Sequence, residues 1–263
     1  MPQYGLFSYW DNRYENDFPE PFDWLFSYSD LAALFAHTID KHAKILIIGC
    51  GNAEMSSDMF ADGYENQVNM DTCEIVIKQQ QERHPYMRWE VADVTDMHMY
   101  ADGEYDVVLD KSLIDTMLCY ENAHNVMNKM MEEIHRVLRS GGRYLCLSLH
   151  TADSAMEYLT QDKFSFYPHV AYLPNPRFSA GKDKNRTTTF TVIVCDKYPD
   201  GLPIDYQPPP LDKCALNEKQ ARNMKAKAER YFVDSSIQTT SIDDLMRYFE
   251  IGLTEYSMHQ GWD

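Results

Sequence analysis

The sequence predicts an α/β domain built on a mostly parallel sheet. The first observation is a short continuous apolar run at residues 44–48, which is typical of a strand buried on both faces. The second is the alternation of strand-like and helix-like segments from that run to about residue 149. The third is the break Gly49-Cys50-Gly51-Asn52, which separates the first strand from the helix that follows it.

Five segments predict the parallel strands, and three predict the helices between them. The strands are expected at residues 44–48, 68–70, 87–91, 105–109 and 142–149, and the helices at 53–62, 73–83 and 123–139. Gly141-Gly142 supplies the break that ends the last helix. Right-handed crossovers then give a Rossmann-like sheet whose strands end at one edge, where a ligand crevice is expected.

The segments before and within this core complete its predicted organisation. Residues 1–43 are expected to form an N-terminal lid and a first helix to about residue 42, with Ser29 or Asp30 as its N-cap. Residues 44–197 are expected to form the ligand-binding core. Within it, the β-rich segments 164–173 and 187–195 are expected to close an antiparallel pair at the sheet edge.

The C-terminal part of the chain has a different composition. Residues 198–210 contain five prolines and indicate an extended connector. Helices are expected at 217–232 and 241–255. We therefore expect residues 198–263 to form a connector and C-terminal helices packed on the same domain.

The charge of the chain limits its classes of partner. It has 24 Lys and Arg against 41 Asp and Glu, for a formal net charge of −17. Nucleic-acid phosphates attract surfaces rich in Lys and Arg, so a nucleic-acid partner is not expected, whereas a basic protein substrate suits this charge. The alternative is that the excess carboxylates only keep the protein soluble.

The cysteines and the hydropathy indicate a compartment. Six cysteines are scattered without a CxxC pair, which is typical of reduced thiols. No apolar run approaches the roughly 18 residues of a membrane span, and the N-terminus has no basic and then apolar signal sequence. We expect a cytoplasmic location, no membrane partner and no metal site.

The loop after the first strand predicts a nucleoside site. Gly49 and Gly51 have no Cβ, so the backbone there approaches a ligand closely. About twenty residues later the second strand ends in Asp71, where a carboxylate accepts hydrogen bonds from ribose hydroxyls. A dinucleotide fingerprint would place glycine at position 54, but this chain has Glu54, which would repel a pyrophosphate. A phosphate-free nucleoside, S-adenosylmethionine, is therefore favoured over NAD.

Two further strand ends carry candidate residues. Asp93 is expected to accept from the adenine amine while Val94 packs on the ring, although a turn cap formed by Asp93 is the alternative. Asp110 and Lys111 are expected at the mouth of the crevice, where they are the candidates for a catalytic role. Their alternative is that of solvated surface charges, and Asp115 is interpreted as a charge near the next helix.

The aromatic N-terminus is the least generic feature. Trp10 and Tyr14 share one face of a helix, and Trp24 joins them if the segment folds back. Aromatic faces attract cations, and both a sulfonium and a lysine ammonium are cations. These rings predict a lid over the crevice, with a hydrophobic seal on the sheet edge as the equally open alternative.

Six stretches of the chain are similar to a known family. They are residues 9–14 (YWDNRY), 22–24 (FDW), 45–54 (ILIIGCGNAE), 76–79 (VIKQ), 107–115 (VVLDKSLID) and 141–148 (GGRYLCLS). In these stretches the chain resembles the seven-strand class I methyltransferases that modify lysines of translation elongation factor 1A. The similarity is good over about residues 4–150 and loose over the remainder.

The resemblance implies an S-adenosylmethionine-binding fold and assigns contacts with this cofactor. The assigned positions are Trp10, Tyr14, Trp24, Gly49, Asp71 with Thr72, Asp93 with Val94, and Lys111. It favours the lid over the seal. One departure is Ser112, because the family commonly has glycine after this lysine. The other is the absence of the second methyltransferase domain of dual members, so only the lysine-directed activity carries over.

We therefore expect an S-adenosylmethionine-dependent lysine methyltransferase that acts on elongation factor 1A and leaves S-adenosylhomocysteine as product. The acceptor amine must be neutral to attack the sulfonium methyl, and no residue stands out as an obligatory base. Two alternatives stay open at this point. One is methylation of a small molecule, and the other is a scaffold that binds the cofactor without turnover.

Overall fold

A computed structural model describes residues 4–17, 20–174, 189–198 and 232–238. Within these ranges, eight strands form one sheet in the order β3-β2-β1-β4-β5-β7-β6-β8. The strands are β1 Ile45–Ile48, β2 Gln67–Asp71, β3 Arg88–Val91, β4 Tyr105–Lys111, β5 Leu138–Ser148, β6 Phe166–Pro174, β7 Thr189–Lys197 and β8 Phe232–Gln238. The predicted α/β fold with a mostly parallel sheet is confirmed.

Helices lie between the strands and before the first of them. They are α1 Phe7–Asn12, α2 Tyr28–Thr38, α3 Met55–Ala61, α4 Glu74–Arg83, α5 Leu113–Met117, α6 Ala123–Val137 and α7 Ala152–Leu159, and a turn of π-helix at Arg13–Asp17 follows α1. Among these described helices, none is both long enough and apolar enough to cross a bilayer. The sequence did not predict α5 or α7, which are short and follow strand ends directly.

The pairing of the strands brings their carboxyl ends together. Strand β1 is parallel to both β2 and β4, so that Ile48 lies opposite Met70 on one side and Asp110 on the other. Strand β5 continues the parallel series beside β4. The turns that follow these strands therefore meet at one edge of the sheet, as the alternating pattern predicted.

The antiparallel edge pair was predicted correctly, and it is extended by a further strand. Strand β7 is antiparallel to both β5 and β6, and β8 pairs in parallel with β6. Phe232, which was predicted to end a helix, instead begins β8. The other residues of the predicted helices 217–232 and 241–255 lie outside the described ranges.

Side chains alternate along the strands and form a core on each face of the sheet. Ile45 and Ile47 of β1 pack with apolar residues of α2, α3 and α4, whereas Leu46 and Ile48 pack with those of α5, α6 and α7. All four residues of β1 are buried. Burial of each such side chain contributes about 1.5–3 kcal/mol to folding, which explains why β1 is an uninterrupted apolar run.

The start of α2 differs from the predicted position. The N-cap is Ser27, not Ser29 or Asp30. The Ser27 backbone N–H and hydroxyl both donate to Asp30 Oδ2, at 2.9 and 2.7 Å. Asp30 is therefore the acidic partner of a capping box, a role that its position three residues after the cap makes possible.

Gly141 and Gly142 do not end α6 as predicted. The helix ends at Val137, and β5 begins with Leu138, whose backbone is already extended. Gly141 has a φ of 75°, in the left-handed region. At Gly142 a Cβ would lie 2.9 Å from the carbonyl oxygen of Arg139 and 3.0 Å from that of Asp106. Glycine is thus needed there because the backbone of Gly142 lies close to the carbonyl groups of Arg139 and Asp106.

Gly142→Ala is expected to destabilise the fold by about 1–3 kcal/mol, because the added methyl meets two backbone carbonyls that have no room to move. Gly141→Asn is the matched control, since asparagine tolerates a left-handed backbone and a Cβ there meets only the flexible end of Arg139. Chemical denaturation of both variants measures the difference. Equal stability of the two would contradict this account of the turn.

Candidate functional site

A cavity of about 360 Å³ lies where the parallel strands end. Its floor is formed by the turns after β1, β2 and β3, and one side by the ends of β4 and β5 with helix α5. The N-terminal aromatic segment covers it from above. The predicted crevice is therefore present, and no side chain of the described residues fills it.

The glycine loop after β1 lines the cavity as predicted. Gly49 and Gly51 have φ values of 59° and 56°, which side chains with a Cβ adopt only with strain. A Cβ on Gly49 would lie 3.0 Å from Leu113, and one on Gly51 would lie 2.9 Å from the hydroxyl of Tyr14. Both glycines are required by the backbone and by the close packing around it.

Asp71 ends β2 and lies in the cavity wall together with Thr72. The Gly51 N–H donates to Asp71 Oδ2 and the Cys73 N–H donates to Oδ1, each at 3.0 Å. Burial raises the pKa of Asp71, and the N–H groups of Cys73 and Gly51 oppose that rise. A carboxylate has about four acceptor sites, so an oriented Asp71 still offers acceptors to a ligand hydroxyl pair.

Asp93 lies in the cavity wall, as predicted, and it also caps a turn, which was the alternative. It lines the cavity, and its Oδ1 also accepts from the backbone N–H and the hydroxyl of Thr95, each at 2.8 Å. The turn cap is therefore present. Val94 is 3% exposed and, with Met70, supplies an apolar wall suited to a planar ring.

The three predicted aromatic side chains meet over the cavity. Trp10 stacks on Tyr14 with ring centres 6.0 Å apart, and Trp24 packs against Trp10 at 6.1 Å. The Gln79 side chain donates to the backbone oxygen of Tyr14 at 3.1 Å, which ties the segment to α4. Tyr14 is buried in the core, whereas Trp10 and Trp24 are only partly buried, so the segment both seals the sheet edge and roofs the cavity.

Lys111 lines the cavity and holds the N-terminal segment. Its ammonium lies 2.6 Å from Asp23 Oδ1, with a further bond of 3.3 Å to the Phe26 carbonyl. The Lys111 side chain is only 7% exposed, so this is a largely desolvated ion pair. Position 111 therefore contacts the roof of the cavity as well as its interior.

Asp110 does not lie at the mouth of the crevice. Adjacent residues of a strand point to opposite faces, and Asp110 is fully buried on the face opposite Lys111. It accepts from the N–H of Leu113 at 2.7 Å and from the Tyr144 hydroxyl at 2.8 Å. Its position is that of a cap beneath α5, so the structure does not bring this catalytic candidate to the cavity.

Glu54 precedes α3 as expected, but its carboxylate is turned away from the cavity. It accepts from the Ser57 hydroxyl at 2.7 Å and lies 3.2 Å from a ring nitrogen of His84. The carboxylates of the cavity wall itself would instead repel a phosphate. Asp71, Asp93 and Asp115 are among its lining residues, and its one Lys or Arg among described residues is Lys111.

Sequence reasoning missed the pair formed by Asp115 and His150. The His150 Nδ1 lies 2.8 Å from Asp115 Oδ1, and both residues line the cavity. The hydrogen bond to Asp115 raises the pKa of His150, while bonds from His150, Ser112 and Ser148 lower that of Asp115 against its burial. No sequence signal indicated this pair, because its members are 35 residues apart and meet only through the β4–β5 pairing.

The cavity fits a cationic nucleoside without phosphates. It provides a fixed carboxylate for a sugar, an apolar slot for a ring, aromatic faces for a cation and an excess of carboxylates over ammonium groups. In the described part of the chain, no three His, Cys, Asp or Glu side chains form a group suited to a metal ion.

Comparison with known protein families also indicates a methyltransferase domain. A methyltransferase domain family matches residues 46–146, which run from β1 through most of β5. The chain is 30% identical over 201 residues to the eEF1A lysine and N-terminal methyltransferase of Mus musculus, a match that covers 73% of this chain and 29% of that protein. The chain therefore contains a methyltransferase domain, and it is similar to the eEF1A lysine and N-terminal methyltransferases of several vertebrates.

Another relative is matched over a larger share of its own length. The chain is 28% identical over 184 residues to EEF1A lysine methyltransferase 4 of Mus musculus, with 65% of this chain and 71% of that protein covered. The chain spans about a quarter of the length of the dual lysine and N-terminal methyltransferases that it matches.

The fold is that of the S-adenosylmethionine-dependent class I methyltransferases. A geranyl diphosphate C-methyltransferase from Streptomyces coelicolor A3(2), solved with Mg²⁺, geranyl diphosphate and S-adenosylhomocysteine, superposes with a TM-score of 0.52 at 11% identity. The superposition covers 75% of this chain and 98% of that structure. At this identity the likeness describes the shared fold.

Lys111→Met is expected to loosen the N-terminal segment of this methyltransferase domain, because it removes a charge-assisted bond to Asp23 worth about 1.5–3 kcal/mol. Amide hydrogen exchange over residues 20–26 should become about ten-fold faster or more. Lys163→Met is the matched control, since Lys163 pairs with Glu132 on the surface. Unchanged exchange in the Lys111 variant would contradict the conclusion that Lys111 holds the N-terminal segment.

Asp110→Asn tests the burial of Asp110. Burial raises the pKa of this carboxyl to about 7 from 3.8, so the protonated form is favoured in the folded state. The stability that this proton provides is complete below the unfolded pKa and is lost as pH rises through about 7. As pH rises from about 4 to about 8, the free energy of unfolding of the wild type should therefore fall relative to that of the variant, by up to about 4 kcal/mol. Denaturation series across that pH range measure it, and a constant difference would contradict the prediction.

Proposed function

We propose that this chain transfers a methyl group from S-adenosylmethionine to a lysine ε-amine of a basic protein, namely elongation factor 1A. The observation that carries the proposal is the Asp71 carboxylate, held by two backbone N–H groups in a cavity roofed by aromatic rings. The names of the relatives supply the acceptor, since they are described as eEF1A lysine methyltransferases.

The cofactor-binding roles follow from the chemistry of the cavity wall. Asp71 would accept the two ribose hydroxyls, and Val94 would pack on the adenine while Asp93 accepts its amine. Trp10 and Trp24 would face the sulfonium through their π-systems. When bound, the cofactor supplies an electrophilic methyl group.

The chain's own residues align the acceptor and exclude water. A lysine with a pKa near 10.4 is mostly ammonium at pH 7, and its deprotonation costs about 4–5 kcal/mol. The partly buried rings of Trp10 and Trp24 would lower this cost by desolvating the amine. A cavity closed on both the sheet side and the roof side also restricts the amine to the line of attack.

The charge of the chain suits a basic protein acceptor. The formal net charge is −17, and exposed carboxylates of the N-terminal segment include Asp11, Glu15 and Glu20. Phe7 is half exposed beside them and also lines the cavity, so an apolar contact stands at its rim. Carboxylates at a rim would raise encounter rates with a lysine-rich segment without contacting the reacting atoms.

A cytoplasmic location remains part of the proposal. The five cysteines within the described ranges are all free thiols, which is the state kept in reducing compartments.

The test is transfer of labelled methyl from S-adenosylmethionine to purified elongation factor 1A, set beside a panel of small amines and metabolites. Label on a lysine of the protein, located by mass spectrometry, is the expected result. Label only on a small molecule would overturn the choice of acceptor. Label on neither, despite binding of the cofactor, would overturn turnover and leave a scaffold.

Asp71→Ala is the matched variant for this experiment. It should weaken binding of S-adenosylhomocysteine, measured by calorimetry, by about 1–3 kcal/mol or roughly 5- to 150-fold. Asp96→Ala is the control, because Asp96 is an exposed carboxylate bonded to His98 outside the cavity. Equal affinities of the two variants would remove the assignment of Asp71 to the sugar.

A further inference from the structure

The cavity has two chemically different sides. Gly49, Asp71 and Asp93 stand at or just after the ends of β1, β2 and β3, which lie on one side of the boundary between β1 and β4. Asp115 and His150 follow β4 and β5 on the other side. If the nucleoside occupies the first side, the second side is left for the acceptor.

Several hydrogen bonds hold Asp115 and His150 in place on the second side of the cavity. Asp115 is 8% exposed, and its carboxylate accepts from the Ser112 hydroxyl at 2.6 Å, the Ser148 hydroxyl at 2.5 Å and the Leu149 N–H at 3.0 Å. His150 is also anchored through its backbone, since its N–H donates to the Ser148 hydroxyl at 3.0 Å. The imidazole itself is 43% exposed.

The hydrogen bond to Asp115 fixes the tautomer of His150. A carboxylate only accepts, so the Nδ1 atom that lies 2.8 Å from it must carry the hydrogen. In the neutral ring, Nε2 then has a free lone pair. No described residue forms a hydrogen bond with Nε2, and the ring lines the cavity.

Ser112 shows that this arrangement is held against backbone strain. Its φ of 73° makes it the one residue other than glycine with a left-handed backbone among those described. Glycine would adopt this conformation without cost, but glycine has no hydroxyl to donate to Asp115. The serine therefore orients the carboxylate that orients the imidazole.

We propose that His150 is the general base that takes the proton from the acceptor ammonium, and that Asp115 and Ser112 are its positioning residues. This inference rests on the proposed function, because it requires an amine acceptor in the cavity. It assigns a role to Asp115 and His150, which line the cavity but have no part in the proposed cofactor contacts.

The proposed step conserves atoms and charge. The neutral Nε2 of His150 takes one proton from the ammonium, which leaves a neutral amine and an imidazolium stabilised by Asp115. The amine nitrogen then forms a bond to the methyl carbon, while the carbon–sulfur bond breaks and its electron pair goes to sulfur. The exposed imidazolium returns its proton to solvent.

The surroundings of His150 set the pH range in which it acts as a base. Asp115 on α5 is the charge in direct contact, and Cys119 lies in the cavity wall in the turn after that helix. Lys111 at the end of β4 is paired with Asp23, and β7 contributes the uncharged hydroxyl of Thr191, which donates to the His150 carbonyl. The hydrogen bond to Asp115 raises the pKa of His150, so the base is lost as pH falls through that value.

His150→Gln in the full chain is the main test. At pH 7 its kcat on a lysine acceptor should fall about 100-fold. The deficit should shrink steadily as pH rises towards the lysine pKa near 10.4, where about half of the amine is already neutral in solution. Affinity for S-adenosylhomocysteine should stay within about two-fold of the wild type, because the lost group serves only the acceptor. His98→Gln is the matched control, since His98 also pairs with an aspartate at 2.9 Å but lies outside the cavity.

A second readout does not depend on turnover. Nuclear magnetic resonance titration of His150, assigned by comparison with the His150→Gln variant, should show a hydrogen on Nδ1 in the neutral ring. The measured pKa should fall in Asp115→Asn, and the acid limb of kcat/KM should shift with it. An unchanged pKa of His150 in that variant would overturn the positioning role.

The outcomes separate this inference from the function on which it rests. A wild-type chain that methylates no amine contradicts the proposed function. A wild-type chain that does so, while His150→Gln loses nothing or loses the same factor at every pH, contradicts the role of His150 alone. A pH-dependent deficit with intact cofactor affinity supports it.

Discussion

The carboxylate of Asp71 is the contact on which the geometry of the cavity depends. One oxygen accepts from Gly51 and the other from Cys73, so a single side chain joins the turn after β1 to the turn after β2. Bonds to an ionised acceptor are roughly twice as strong as neutral ones. They hold the glycine loop in its left-handed conformation, and the Tyr14 hydroxyl, in close contact with Gly51, then sets the height of the aromatic roof.

Much of this architecture could be predicted from local sequence. The apolar run of β1, the glycines after it and Asp71 at the end of the next strand each carry a pattern within a few residues. The side-chain direction of Asp110 also followed from alternation along β4, but only once the ends of that strand were known. Strand ends are the least certain part of a pattern, which is why Asp110 was expected in the cavity.

Contacts between distant segments could not be predicted in the same way. Lys111 and Asp23 are 88 residues apart, and the pair of Asp115 and His150 is separated by an entire helix and strand. Neither pair follows a sequence spacing rule. The Asp115–His150 pair depends on the register of β4 with β5, and the Lys111–Asp23 pair depends on the path of the N-terminal segment. The sequence also left a lid and a seal as alternatives, and the structure shows that Tyr14 serves the second while Trp10 and Trp24 cover the opening.

Ser112 has a consequence for how this protein tolerates change. Replacing it with glycine would relieve the strained backbone, yet the same change would release the Asp115 carboxylate from one of its anchors and would give the unfolded chain more conformational freedom. The strain at Ser112 and the orientation of Asp115 are therefore coupled in one side chain. Under the proposed role of His150, glycine at this position would exchange backbone strain for a less firmly positioned base.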